Sequence, residues 1–300
     1  MTKFLNLLAA GLTSGAIYAI FAACVTLWYR VSNLLNFAVG DFAMIGAIGT
    51  ALLVQDQHLP FAVAVIIVLV AVALIGWLFD VGVLHYALDR STRGARVVAV
   101  FFYTFGLSLV LEGIARAIFG TDVYAAPPIW GGPASQVLDF HIQHAGVLTI
   151  ALAVIVGLAL WAYLRFTVSG KAVAACGESS LGARIVGISS GVLRRRIFIL
   201  TAVLAALFGV VESPVTGFVY NSGPSISLIG VVAAGFAAYN KPGRAVLAGL
   251  GIGVIEALLG GYVSTQYNDV ILYAALFVII IMRPEILGLG AESDLAGVTA

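Results

Sequence analysis

Charge is what this sequence has least of. Charged residues make up only 10% of its 300 positions, against about 25% in soluble domains. So few charges cannot cover the surface of a water-soluble fold of this size. The formal net charge is +1, which excludes broad capture of nucleic acid, because that needs many cations set against phosphates. Cysteine is nearly missing: the two are Cys24, inside an apolar run, and Cys176, in a hydrophilic stretch, so no disulfide is expected between them. The segment GxxxxGK[ST] does not occur, which excludes binding of ATP through a phosphate loop in this chain. HExxH does not occur, the GxSxG spacing of Gly187–Gly191 lies in the large hydrophilic loop and makes no nucleophile elbow, and His141, His144 and Asp139 have no second cluster of ligands to complete a metal site. Gly249, Gly251 and Gly253 lie in an apolar run rather than after a soluble strand, so they do not form a dinucleotide fingerprint.

What is present is apolar. Hydrophobic residues make up 62% of the chain, enough for about nine membrane spans of about 20 residues each. Runs such as Phe61–Phe79 and Ile197–Val211 are continuously apolar rather than alternating. Lipid admits helices or closed barrels, and barrel strands would alternate in polarity. The expected fold is therefore all-α, a polytopic integral membrane bundle of about nine helices (range eight to ten), at least one of them broken. Cutting at charges and turn residues puts the spans near 4–29, 33–54, 59–79, 97–119, 145–164, 197–219, 226–239, 245–263 and 270–282. Residues 1–290 form one transmembrane domain with a large hydrophilic loop at 165–196, and 291–300 a short tail. The first charge-free run, Phe4–Tyr29, is 26 residues, longer than the apolar part of a signal peptide, about 7–15 residues.

Thirteen of the cations fall in alternate loops: Arg30; Arg90, Arg93 and Arg96; Arg165, Lys171, Arg184 and Arg194–Arg196; Lys241 and Arg244; and Arg283. By the positive-inside rule those loops are cytoplasmic, with the N-terminus outside and the C-terminus inside. Gly11 with Gly15, and Gly249 with Gly253, have the spacing that lets helices approach closely; packing, bending and gating all use such pairs. The loop 120–144 lacks Lys and Arg and holds Pro127, Pro128 and Pro133, so it reads as rigid and non-helical.

Several polar groups stand where lipid would penalise them. The second span opens Asn33-Leu34-Leu35-Asn36-Phe37-Ala38-Val39-Gly40-Asp41; two amides, a glycine and a carboxylate mark a broken helix beside a cavity. Asn221–Ser225 is a possible second break. Glu256 lies roughly 17 Å into its span, near the midplane. Asp41 and Glu256 have no partner nearby in sequence; a path-facing role and a structural hydrogen bond both remain open. Glu112 and Arg116 are four apart and suited to pairing on one helix face. Within the large loop, Lys171–Val186 has helical character, with Ala172, Ala175, Leu181 and Ile185 as a mild apolar stripe. Such a helix is a grip for a cytoplasmic partner, or else a solvated connector against anionic headgroups.

These residues resemble a known family, the LivH-type permeases of the branched-chain amino-acid ABC importers. The resemblance covers nearly the whole chain. It is carried by Gly11–Ala19, by Asn36-Phe37-Ala38-Val39-Gly40-Asp41-Phe42 (NFAHGD or NFAHGE in the family, with Val39 here for the usual His), by Thr104–Leu109, by Gly170–Glu178 with Ala183 and Gly187-Ile188, and by Arg283–Gly288. A Gly-rich family segment corresponds here to the bulkier Ala234–Ala245.

The resemblance implies a multi-pass permease in the bacterial inner membrane, not an enzyme. It would pair with a second permease of the LivM type. Two cytoplasmic ATPases of the LivG and LivF types would supply Mg-ATP hydrolysis, with no cofactor in this chain. A periplasmic solute-binding protein would deliver branched-chain or other hydrophobic amino acids; relatives carry urea, short amides or aromatic acids. It puts the ATPase contact at Lys171, Ala175, Cys176, Gly177, Glu178, Ser179 and Leu181. It puts the path at Asn36, Phe37, Gly40 and Asp41, with Glu256 as the further candidate. The reading from another class is a stand-alone proton-coupled transporter with Asp41 or Glu256 as carrier.

Overall fold

In lipid a backbone N–H or C=O has no water to bond, so each long apolar run closes its own ladder as an α-helix. The computed structural model describes residues 2–86, 93–127, 135–137, 140–142, 144–237, 239 and 242–262, with single positions at 270, 274, 278 and 281. Its helices are α1 (Thr2–Ser32), α2 (Val39–Gln55), α3 (Phe61–Phe79), α4 (Arg93–Phe119), α5 (His144–Phe166), α6 (Val168–Glu178), α7 (Ser180–Ile185), α8 (Ser190–Thr216), α9 (Gly223–Phe236) and α10 (Pro242–Tyr262). A π-helical turn, Asp80–Leu84, extends α3. The loop expected to be rigid also holds a small antiparallel hairpin, β1 (Ser135–Val137) with β2 (Phe140–Ile142), in which Gln136 faces His141.

Among the described residues, six helices are long and apolar enough to cross a membrane: α1, α3 with its π turn, α4, α5, α8 and α10. Two more, α2 and α9, are apolar but short, 17 and 14 residues. At 1.5 Å per residue they reach about 26 and 21 Å, less than the roughly 30 Å hydrocarbon core. The ninth expected span, 270–282, lies outside the described residues except for helical positions 270, 274, 278 and 281.

The core is built on α1, α2, α8 and α9. Trp28, Phe42 and Phe79 surround Phe198, with ring centroids 5.1–6.0 Å apart. Small residues set the helix spacing. A Cβ at Gly209 would strike the Ala43 carbonyl, and one at Gly46 the Ala206 carbonyl, so α2 and α8 touch backbone to backbone. Gly11 and Gly15 meet Gly253 and Leu250 in the same way, which joins α1 to α10. Outward faces of α3, α4 and α5 present large apolar side chains such as Ile66, Val70, Phe102, Ile118 and Leu158, as a lipid-bathed perimeter should.

Two boundaries and one pairing differ from the sequence expectation. The second span is not helical from residue 33: Asn33 adopts φ 55° and the helix begins at Val39, because the Asn36 side chain takes the Ala38 N–H at 3.0 Å and competes with the helical ladder. The sixth span begins at Ser190, so Arg194–Arg196 are helical rather than in the loop. Arg116 lies over the Tyr220 ring, 5.5 Å from its centroid, rather than paired with Glu112.

Candidate translocation site

The two short helices start beside each other inside the bundle. The Gly40 N–H, at the start of α2, donates to the Ser227 hydroxyl of α9 at 2.7 Å. A Cβ on Gly40 would strike the Gly223 carbonyl, and one on Gly223 would strike the Asp41 carboxylate. Gly40 and Gly223 are glycines because two helix starts share this space. Asp41 stands in the first turn of α2, where the positive end of the helix dipole favours a carboxylate. It is fully buried. Ser108 on α4 faces it, yet neither oxygen has a partner at hydrogen-bond geometry. Asn36 is buried alongside. The Phe37 ring packs edge-on to Phe101 of α4, and the Phe37 N–H makes a long contact, 3.5 Å, with the Thr104 hydroxyl.

Glu256 belongs to a different cluster. It is hydrogen-bonded to Tyr18 of α1 and lies within electrostatic range of Glu212 on α8. The structure thus brings Asn36, Phe37, Gly40 and Asp41 together and pairs Glu256 with Tyr18 and Glu212. Beside Glu212 a cavity of about 320 Å³ opens between the end of α8 and the start of α9. Thr216, Asn221, Ser222 and Ser225 give it a polar side, and Phe218, Val219 and Ile226 an apolar one.

The opposite end of the bundle carries α6 and α7. The stretch expected as one helix is two, because Ser179 is extended (φ −155°, ψ 111°) and breaks it. Thr167 caps α6 by accepting the Gly170 N–H at 2.9 Å, the usual way a helix start satisfies a spare donor. The buried stripe is Gly170, Val173 and Cys176, set one residue away from the expected Ala172 and Ala175, which are half-buried. Cys176 is thus part of the interior, and burial pushes its thiol pKa up. Gly177 leaves room for the Arg30 side chain at the end of α1. Lys171, Glu178 and Ser179 are exposed. Leu181 lies in α7. Ile185, expected in the stripe, is 78% exposed, and Phe166 and Val168 also face outward.

Sequence reasoning missed Asp80. Its carboxylate is fully buried and takes Arg195 Nε at 2.7 Å and Arg194 Nε at 3.5 Å. The pairing ties the π turn after α3 to the start of α8. A lone acid ending an apolar run, set against three consecutive arginines, was the available signal.

Comparison with known proteins agrees with this architecture. A family model described as "Branched-chain amino acid transport system / permease component" matches residues 7–281. The high-affinity branched-chain amino acid transport system permease protein LivH of Escherichia coli is 27% identical over 296 residues, covering 94% of each chain. BraD of Pseudomonas aeruginosa, a permease of the same description, is 26% identical over 294 residues, again 94% of each. The autoinducer 2 import permease LsrC of Yersinia enterocolitica is 32% identical over 166 residues, 55% of this chain and 42% of that one. One model spans both half-helices and the α6–α7 pair, and this chain belongs to the permease components of branched-chain amino acid transport systems.

Proposed function

We propose that this chain is the membrane-spanning subunit of an ABC importer for branched-chain or other hydrophobic amino acids. It shares the translocation path with a second permease of the LivM type. Two separate ATPases, of the LivG and LivF types, drive it from the cytoplasm, and a periplasmic binding protein delivers the solute.

The observation that carries this reading is the junction of α2 and α9. Two half-helices that begin together inside the bundle, with Gly40, Asp41, Gly223 and Ser227 in contact, leave irregular backbone at membrane depth. Such backbone is tolerated where it is buried in protein or lines a water-filled cavity. We assign Asn36, Gly40 and Asp41, buried as they stand, and the half-buried Phe37 to one part of the path wall and Glu256 to a second. A permease needs no covalent chemistry here: it holds solute weakly while helices shift around it.

The α6–α7 pair is the transmission element. It joins α5 to α8, rests on α1 through Gly177 and Arg30, and shows Lys171, Glu178 and Ser179 outward. Arg30, Arg165, Lys171 and Arg194–Arg196 belong to this end, which supports reading it as the cytoplasmic side by the positive-inside rule, with the N-terminus outside.

The test is purification of the chain from native bacterial membranes, followed by reconstitution. Two ATPases and a second permease co-purify, and vesicles accumulate leucine only with ATP and the binding protein. Accumulation by the isolated chain on a proton gradient would overturn the reading. ATP-driven uptake of urea, a short amide or an aromatic acid in place of leucine would reassign the solute within the family.

A further inference from the structure

The cavity beside Glu212 lies at the end of the bundle remote from α6 and α7. Glu212 is 92% buried, being 8% exposed, and its Oε2 has no hydrogen-bond partner. A buried carboxylate oxygen left without a partner is costly, so its persistence points to a ligand that completes it. Among the described residues, those lining the cavity include no Lys or Arg. Arg116 is engaged with the ring of Tyr220, next to the lining residues Val219 and Asn221 in the chain. Glu256, a second acidic side chain, lies within electrostatic range. The polar lining supplies hydroxyls and an amide, from Thr216, Ser225 and Asn221, while Ser222 is already bonded to the Val219 N–H at 3.0 Å.

From these observations we infer that the Glu212 cavity is a subsite for the primary ammonium group of the transported solute, with the solute's apolar part against Phe218, Val219 and Ile226. The volume, about 320 Å³, falls at the low end of the usual range for small-molecule sites, about 300–1,000 Å³, and exceeds what a bare ion needs. Groups of three or more metal-ligating side chains are absent among the described residues, which turns the choice from a metal ion to a nitrogen cation. The start of α9 also borders the cavity, but Asp41 lies directly behind Gly223 and offsets the positive end of that helix. The assignment is therefore confined to the ammonium group and leaves the carboxylate of an amino acid to other partners. It rests on the importer reading for the identity of the solute, and on Glu212 alone for the chemistry.

The experiment uses S225C as a reporter in native membranes. Ser225 lines the cavity and is exposed, whereas the natural Cys24 and Cys176 are buried. Maleimide labelling is followed with leucine, with isopentylamine (the same skeleton without carboxylate) and with isocaproate (the same skeleton without ammonium). Leucine and isopentylamine slow labelling; isocaproate does not. E212Q, which keeps shape and removes charge, raises the half-protecting concentration at least tenfold, as expected for losing a charged hydrogen bond. E212D recovers part of the protection, which a purely structural role would not produce. Equal protection by isocaproate, unchanged protection in E212Q, or no protection by either amine overturns the proposal. Absence of ATP-driven uptake with the amine pattern intact would instead strike the importer reading and leave the subsite standing.

Discussion

Removing the Asp80 carboxylate tests whether the buried ion cluster holds α3 to α8. Asp80 is completely buried, while the Arg194 and Arg195 side chains are 11% and 34% exposed. In D80L the two arginines lose their counter-charge unequally. Arg195 can turn toward water, as long basic side chains do. Arg194 cannot, and its Nη2 already lacks a partner. Stranding a buried charge costs about 3–5 kcal/mol, which for a chain of this size lowers the unfolding midpoint by on the order of 10 °C. The assay is built into the protein: Cys24 and Cys176 are free and buried, so a thiol-reactive fluorophore in detergent reports unfolding as they become accessible. The double variant D80L/R194M removes the stranded charge and recovers more than half of the loss. A double variant no more stable than D80L would refute the argument, because the penalty would then come from the missing pairing itself rather than from the orphaned arginine.

Three further outcomes follow from the same geometry. G253A lowers the thiol-monitored midpoint strongly, since a Cβ there strikes the Gly15 backbone, whereas G251A, with open space around it, is neutral or stabilises by up to about 1 kcal/mol. Because burial raises the Cys176 thiol pKa, its labelling in folded protein accelerates only at pH values above those that activate a free thiol of pKa about 8.5; an activation profile at or below that of a free thiol would show it to be solvent-facing. V168D with I185D, at two exposed apolar positions around α6 and α7, abolishes ATP-driven uptake without moving the unfolding midpoint; normal uptake would remove this surface from the ATPase contact.

Much of the fold was legible because lipid simplifies the code. Runs such as Phe61–Phe79 have one stable conformation in hydrocarbon, and the amides and carboxylate of 33–41 announced a broken helix by their cost there. The polar stretch at 221–225 did the same for α9. Less could be read where water and protein compete for a side chain. The α6 stripe came out one residue off because Ala172, Val173, Ala175 and Cys176 are all small or apolar, and packing against α1 chose Val173 and Cys176. Asp80 escaped because its partners are 114 and 115 residues away, and nothing local pairs them.

The chain alone determined that it is helical and lipid-embedded and that at least one of its helices is broken, because backbone solvation and span length act residue by residue along the sequence. Only the folded bundle decided that two interruptions meet at Gly40 and Gly223, that Glu256 answers to Tyr18 and Glu212 rather than to Asp41, and that Glu212 borders an open cavity. Those are distances between elements far apart in the chain, set by how glycines such as Gly46, Gly209 and Gly253 let whole helices close on one another.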